Sequence, residues 1–251
     1  MKIIKYKKCG ASKYKLFLED SRELCFYEDV ILKFDLLLKK ELTEKEMIEA
    51  DSYNQECDVY YIALQNINHH IKSTYELRTF LEKKEYPPDL IERAIDKLKK
   101  QGYLDDRSYA KSYIHYQIIT TNKGPFRLEQ ELLDKKIPTS IIQEEMKEYT
   151  EEEQRERIQK LITKQIEKNR TREGVMLKQK IMTDLKVLGY DFSLVQESIS
   201  DFSFSRNKEL EEKEREKAIR KYSRKYEGKE LERKIREYLY RKGIQYEEDE
   251  T

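Results

Sequence analysis

The chain has no tryptophan, three cysteines, three histidines and seven glycines in 251 residues, and each scarcity removes a class of chemistry. The glycines are scattered. None belongs to a G-x-x-x-x-G-K-S/T or G-x-G-x-x-G run, so the loop that cradles a nucleotide phosphate is missing and no cofactor is implied. Cys9, Cys25 and Cys57 are odd in number and form no C-x-x-C pair, which argues against a disulfide framework or zinc site and for a reducing interior. His69–His70 is the one histidine cluster, and neighbours on a helix point about 100° apart, too divergent to chelate one metal. No stretch approaches the roughly 18 apolar residues of a membrane span, and no signal-like apolar run opens the chain. A soluble, cytoplasmic protein with no membrane contact is expected.

Charge is abundant but balanced. Charged residues make up 40% of the chain and hydrophobic ones 37%, with 51 basic side chains against 50 acidic and a net charge of +1. No global field pulls the chain toward nucleic acid or membrane, so any such affinity must be local. The stretch Arg206–Lys242 holds 15 basic against 9 acidic residues before the acidic run Glu247–Glu250, a pattern of solvated helix faces laced with i,i+4 pairs. Several thin cores in series suit so polar a composition better than one large globule.

One helical pattern recurs four times: Leu77–x3–Leu81–x4–Tyr86, Leu128–x3–Leu132–x4–Ile137, Ile181–x3–Leu185–x4–Tyr190 and Ile235–x3–Leu239–x4–Ile244. The second positions lie 51, 53 and 54 residues apart, the mark of one supersecondary unit stacked on itself. The expected fold is mainly α: tandem three-helix repeats in an elongated, curved array with a small β-containing N-terminal extension. The expected division is 1–45 for the extension, 46–122 for a lead-in helix and the first repeat, 123–175 and 176–227 for the second and third, and 228–251 for a partial fourth with the acidic tail.

Within the extension, Lys2–Lys7, Tyr14–Leu18 and Leu24–Tyr27 read as strands, the last two as a hairpin. Val30, Phe34, Leu37 and Leu38 then mark an apolar helical stripe. Thr43 with Glu46, and Ser73 with Glu76, are capping-box pairs. In the first repeat Leu90, Ile91, Ala94, Ile95 and Leu98 form a second helix ending at Gly102, and Asp106 is placed to cap a third carrying Tyr109, Ala110, Tyr113 and Ile114. The third helix of repeat three is expected to turn Ile219, Tyr222 and Tyr226 inward. No nucleophile stands beside a base, so the chain is expected not to be an enzyme. Of the nineteen tyrosines, Tyr86, Tyr109, Tyr113, Tyr190, Tyr222 and Tyr226 fall on inward stripes, a packing role, while the others, including Tyr60–Tyr61 and Tyr238–Tyr240, stay open to other uses. Lys83–Lys84, Lys135–Lys136 and Arg241–Lys242 lie just before the residue that closes the first helix of their repeats, while repeat three has Val187–Leu188 there. Cations at such places complement the helix dipole, and stacking would align them into a row facing an acidic or phosphate-bearing filament.

Three blocks then carry a resemblance: Ser73–x2–Glu76–Leu77–x3–Leu81, Gly102–Tyr103–Leu104–Asp105–Asp106–x2–Tyr109–Ala110–x2–Tyr113, and Lys123–Gly124–Pro125–x2–Leu128–x2–Glu131–Leu132–x2–Lys135–Lys136–Ile137. Together they resemble the RecX family of regulatory proteins, in its long form with an N-terminal extension, over about residues 45 to 244. Where the family usually has Arg-x-Arg-Ser, this chain reads His70–Ile71–Lys72–Ser73. The resemblance implies a monomeric modulator, usually an inhibitor, of the RecA recombinase. Such a protein lies along the groove of the RecA–DNA filament and suppresses ATPase, strand exchange and filament growth, with single- or double-stranded DNA a further possible partner. The candidate contact residues are Lys72, Arg78, Lys83, Lys84, Arg127, Lys135, Lys136, Arg241 and Lys242. The competing reading is a DNA-binding helical-repeat protein acting in repair without touching RecA.

Overall fold

The structure is a computed structural model of the chain that describes residues 1–10, 12–169, 174–204, 208–241 and 244, with 208–211 as backbone. The chain divides into two compact units, residues 1–111 with 135–141 and residues 112–134 with 142–251.

The first unit opens with an antiparallel sheet in the order β1 (Ile3–Lys8), β2 (Lys13–Leu18), β3 (Glu23–Tyr27). The expected hairpin is present, with Tyr14 opposite Phe26 and Leu16 opposite Leu24. Strand alternation buries Leu16, Leu18 and Phe26 against Val30, Ile31, Leu36, Leu42, Ala50 and Cys57. The outer edge of β3 is closed by a side chain: the Asn54 amide donates to the Cys25 carbonyl at 3.2 Å and accepts from the Tyr27 N–H at 3.0 Å. It satisfies the two backbone groups that would otherwise invite another strand.

The single apolar stripe expected after Glu28 does not form. The chain breaks into α1 (Glu28–Lys33) and α2 (Leu36–Lys39) at Asp35, whose φ is 50°. That left-handed residue resets the helical phase, so Leu36 is buried while Leu37 and Leu38 are 50% and 81% exposed.

Next comes α3 (Glu44–His69), opened by the Thr43–Glu46 capping box with both reciprocal bonds made. It packs on α4 (Thr74–Glu82) and α5 (Pro88–Lys100). Leu77 and Leu81 are fully buried, among Leu90, Ile91, Ala94, Ile95 and Leu98. The third wall of this core is Val59, Tyr60 and Ala63, from the helix that precedes Leu77 rather than the one that follows Leu98. Those side chains belong to the apolar run Val59–Leu64, and the sequence reads their helix as a lead-in because which neighbour packs on Leu77 is not a local pattern. Asp58, one turn before Ile62 on the same helix, ties the unit together. Its carboxylate accepts from the Tyr27 hydroxyl at 2.7 Å, the Tyr86 hydroxyl at 2.8 Å and the Lys13 ammonium at 3.2 Å. Burial opposes its charge, yet these three donors hold the carboxyl below the usual range. Burial pushes the Tyr27 phenol up to about 12.

The cap of α6 (Asp106–Thr120) falls one residue earlier than expected. Asp105 accepts from the amides of Arg107 and Ser108, both at 3.1 Å, because a capping oxygen must precede the first helical residue. Asp106 instead accepts from the Thr74 N–H at 2.8 Å, satisfying an amide in the first turn of α4.

The second unit takes in the rest of α6, then α7 (Pro125–Asp134), α8 (Thr139–Glu145) from Ile142 onward, α9 (Glu151–Lys168), α10 (Gly174–Leu188), α11 (Phe192–Ser200), α12 (Lys208–Tyr222) and α13 (Gly228–Arg241). The helices α9, α10 and α11 pack on one another. They bury Ile158, Ile162, Ile181, Leu185, Val195 and Ile199. Arg157 of α9 donates to the carbonyls of Ile118 and Thr121, covering the C-terminal end of α6. In α12, Ala218 is buried and Ile219 is 41% exposed, contrary to expectation. The inward row is Glu214, Ala218 and Tyr222 at i, i+4 and i+8, with the Glu214 carboxylate accepting from the Tyr238 hydroxyl of α13 at 3.0 Å. Tyr226 lies beyond the end of that helix.

The x4 spacing of the repeat also acquires a physical meaning. Glu85, Lys136 and Gly189 have φ of 62°, 58° and 92°. The next amide reaches back to the second leucine: Tyr86 to the Leu81 carbonyl at 3.4 Å, Tyr190 to Leu185 at 3.2 Å, Ile244 to Leu239 at 3.0 Å. This is the Schellman closure, in which a left-handed residue turns the chain and a following apolar residue folds under the helix end. At Gly189 the closure is also a socket. The Gly124 amide donates to Leu188 O at 2.8 Å and the Phe126 amide to Gly189 O at 3.0 Å, joining the start of α7 to the end of α10. A Cβ on Gly189 would stand 2.5 Å from the Arg127 nitrogen. Gly189→Ala should therefore cost roughly 1–3 kcal/mol of strain plus a backbone displacement. Gly102→Ala, also left-handed but with nothing within 4 Å of the added Cβ, should cost about 1 kcal/mol. Urea unfolding of the two variants decides it, and equal losses would refute the socket.

Candidate basic interface

The candidate residues gather mostly around α4 in the first unit. Ser73 caps this helix, its Oγ accepting from the Glu76 N–H and Glu76 Oε2 accepting from the Ser73 N–H, each at 3.1 Å. The other Glu76 oxygen accepts from the Lys135 ammonium, which lies 5.6 Å from the Tyr109 ring centre. Burial works against both charges of this pair. Even so, Lys135 holds the Glu76 carboxyl below its ordinary range, and Glu76 with the Tyr109 phenol raises Lys135. Arg78 makes a two-pronged bond to Glu92 on α5, at 2.7 and 2.9 Å. Lys135 and Arg78 are thus braces of the fold.

Other candidates remain outward. Lys83 is the C-cap residue of α4, exposed, with no ion pair among the described residues. Lys84 is exposed and 5.4 Å from the Phe80 ring centre, and Lys136 is exposed and 5.9 Å from that of Tyr75. Lys72 is half-buried where the chain enters Ser73 and adds to the positive field on Glu76. Tyr75, Thr79 and Lys83 stand at i, i+4 and i+8, so Lys136 over Tyr75 and Lys83 mark the two ends of one helix face, roughly 12 Å apart at 1.5 Å per residue.

In the second unit, Arg127 contacts Glu131 at 3.3 Å, and Glu131 also accepts from Lys123 at 2.7 Å and the Tyr113 hydroxyl at 2.8 Å. Arg241 ends α13 and is exposed, and Lys242 lies outside the described residues. The basic pairs are not equivalent as the sequence suggested. Counted from the second leucine, Lys84 matches Lys135 and Lys242, whereas Lys136 matches Glu85 and Gly189 at the left-handed position. The first two pairs also sit in the turn past the helix, since α4 ends at Glu82 and α7 at Asp134.

Sequence reasoning missed the carboxylate hubs Asp58, Glu76 and Glu131. The Glu76–Lys135 partners are 59 residues apart, and Asp58 lies 31 and 28 residues from its tyrosines, so no local spacing announces them. The capping-box role of Glu76 was visible, but it uses only one of the two carboxylate oxygens. Among the described residues, no three His, Cys, Asp or Glu side chains group to hold a metal, and no helix is long and apolar enough to cross a membrane.

Tandem helical units with outward cations at helix ends define a helical-repeat protein. Two family models match: the first three-helix domain of RecX over residues 60–98 and the second over residues 105–146. The first match takes in the C-terminal half of α3, as the core does. The regulatory protein RecX of Streptococcus sanguinis strain SK36 is 32% identical over 98% of this chain and 96% of its own. That of Halalkalibacterium halodurans is 31% identical over 97% and 95%. A crystal structure of regulatory protein RecX aligns with a TM-score of 0.71 and 27% identity over 80% of this chain and 99% of that one. The chain belongs to the RecX family.

Replacing Glu76 by Gln should cost roughly 1–3 kcal/mol, the lower end applying because both side chains keep about a quarter of their surface exposed. The folded carboxyl sits below its unfolded value of about 4.3. Its contribution is therefore complete above that pH and fades as pH falls through the folded value. Thermal melts of wild type and variant should differ at pH 7 and converge toward pH 3. A constant gap would show that Glu76 is not stabilised as an anion.

Proposed function

We propose that this protein regulates a RecA-type recombinase in the cytoplasm by lying against the RecA–DNA filament, with the outward cations of α4 and its neighbour turn as contacts. It acts as a monomer and without catalysis, suppressing ATP hydrolysis, strand exchange and filament growth. Family membership supports the regulatory role. The observation that carries the contact face is the partition of the basic residues. Arg78 and Lys135 are held by Glu92 and Glu76, while Lys83, Lys84 and Lys136 have no acidic partner among the described residues. Binding favours whichever filament state presents matching anions, so regulation follows from differential affinity. Further helical units would add weak contacts in series.

Direct DNA binding is the second reading, favoured by the cation–aromatic pairs Lys136–Tyr75 and Lys84–Phe80, a combination that suits unpaired bases. The two readings separate in one set of assays. With RecA on single-stranded DNA, wild-type protein added below stoichiometry should suppress ATP hydrolysis. The variant Lys83→Glu/Lys84→Glu/Lys136→Glu should need at least about tenfold more protein for the same effect, about 1.4 kcal/mol of lost binding. A charge-matched control on β1, Lys5→Glu/Lys7→Glu/Lys8→Glu, should behave as wild type. No inhibition by wild type would sink the regulatory reading, and equal effects of the two variants would sink the face. Retention on DNA alone with a steep salt dependence, lost in the α4 variant, would favour the second reading.

A further inference from the structure

The N-terminal sheet holds two thiols side by side. Cys9 follows the last residue of β1, its N–H donating to the Lys13 carbonyl at 2.9 Å. Cys25 lies in β3 opposite Lys15. The Sγ atoms of Cys9 and Cys25 stand 3.6 Å apart, both residues are exposed, and neither is bonded, while Cys57 is buried. Two solvent-reached sulfurs in contact are placed to bond once they close to roughly 2 Å and the two backbones draw in to the roughly 4.4–6.8 Å Cα separation that a bridge spans. The ammonium groups of Lys13 and Lys15 add a positive field at Cys25, and the thiols in turn add to the charge of Lys15. Burial and the neighbouring thiol nevertheless push Cys25 upward, which disfavours Cys25 as the first attacking thiolate.

We propose that Cys9 and Cys25 form a reversible dithiol–disulfide site whose co-reactant is a small hydroperoxide. The Cys9 thiolate attacks one peroxide oxygen. The O–O bond breaks, the departing hydroxide takes a proton to become water, and Cys9 becomes a sulfenic acid. Cys25 sulfur then attacks the Cys9 sulfur, the S–O bond breaks, and a second water leaves with the remaining proton. Two thiols are oxidised to one disulfide while hydrogen peroxide is reduced to two waters. A cytosolic thiol such as glutathione reverses the reaction by exchange.

The bridge has a target. The turn after Cys9 and the start of β2 form one wall of a shallow cleft lined by Gly10, Ser12, Lys13, Tyr27 and Tyr61. Its floor is the stacked pair Tyr27–Tyr61, with ring centres 4.7 Å apart and planes 8° from parallel. Joining Cys9 to Cys25 staples the two outer strands across β2 and fixes that wall.

The test uses the full chain, hydrogen peroxide and blocking of remaining thiols under native conditions, followed by non-reducing peptide mapping. The expected product is a Cys9–Cys25 cross-linked peptide, lighter by two hydrogens, abolished by dithiothreitol, with Cys57 unmodified. It should form equally in Cys57→Ser. In Cys25→Ser the bridge should be lost and a dimedone-reactive sulfenic acid should accumulate at Cys9. Peroxide-treated wild type that keeps both thiols open to alkylation would overturn the proposal, as would bridging through Cys57 or only between chains. A Cys25→Ser variant that accumulates no sulfenic acid would overturn the order of attack. The far-ultraviolet circular dichroism spectrum of each variant should match wild type, so a lost bridge reports the missing thiol.

Discussion

The ends of α4, α7 and α10 depend on one constraint: a left-handed residue that stops the helix, followed at α4 and α10 by an amide that returns to the carbonyl of the second leucine. Glu85, Lys136 and Gly189 occupy that position, two of them at a conformational cost that glycine would avoid. The cost is tolerated because the turn delivers a large apolar side chain beneath the helix. Tyr190 and Ile137 are each only 2% exposed. An unsatisfied carbonyl at a buried helix end costs about as much as a lost hydrogen bond, so closure and burial reinforce each other. A helix with only the leucine pair would bury two residues and leave its end open.

A second layer of organisation is polar. Asp58, Glu76, Glu131 and Glu214 each accept from a tyrosine hydroxyl, a lysine ammonium or both. Small cores supply limited hydrophobic stabilisation, and their tyrosines bring a hydroxyl that must be satisfied when buried. A carboxylate shared by two or three such donors meets that need and fixes which side chains meet.

Elements whose signal is local were legible in the sequence. The capping boxes at Thr43 and Ser73, the leucine pairs, the wide stripe of α5 and the β2–β3 hairpin all stand where spacing placed them. What failed did so for specific reasons. Asp35 adopts a conformation uncommon outside glycine, and no pattern in Phe34–Leu38 announced the break in the stripe. Ile219 lost its inward place to Ala218 because the buried row of α12 includes a glutamate, which a search for apolar residues skips. The third wall of the first core comes from α3, which reads as a lead-in helix because the neighbour that packs on Leu77 is chosen by the fold and not by spacing within α3. Basic residues near the right places could be listed from sequence. Their division into braces and outward cations could not, since it depends on carboxylates brought in by the fold.

For the contact proposed above, that division bears on how a chain of net charge +1 would engage a polyanionic or acidic filament. Most cations of the chain compete with as many acids, and a cation already bonded to a half-buried carboxylate must break that bond to bind elsewhere. Arg78, with two bonds to Glu92, is poorly suited to a reversible contact. Lys83 and Lys84 differ, because they meet only the negative end of the α4 dipole, worth about 0.3–1 kcal/mol at an exposed site and screened by salt, and for Lys84 the Phe80 ring as well, among the described residues. Lys136, resting over the exposed ring of Tyr75, is held by a cation–π contact of similar size. Attractions this weak position the ammonium groups without committing them. They yield to a phosphate or carboxylate that approaches within a Debye length, about 8 Å at physiological salt. Neutrality of the whole then becomes an advantage for selectivity, since nonspecific capture by bulk polyanions is suppressed and affinity rises only where several outward cations meet their partners at once.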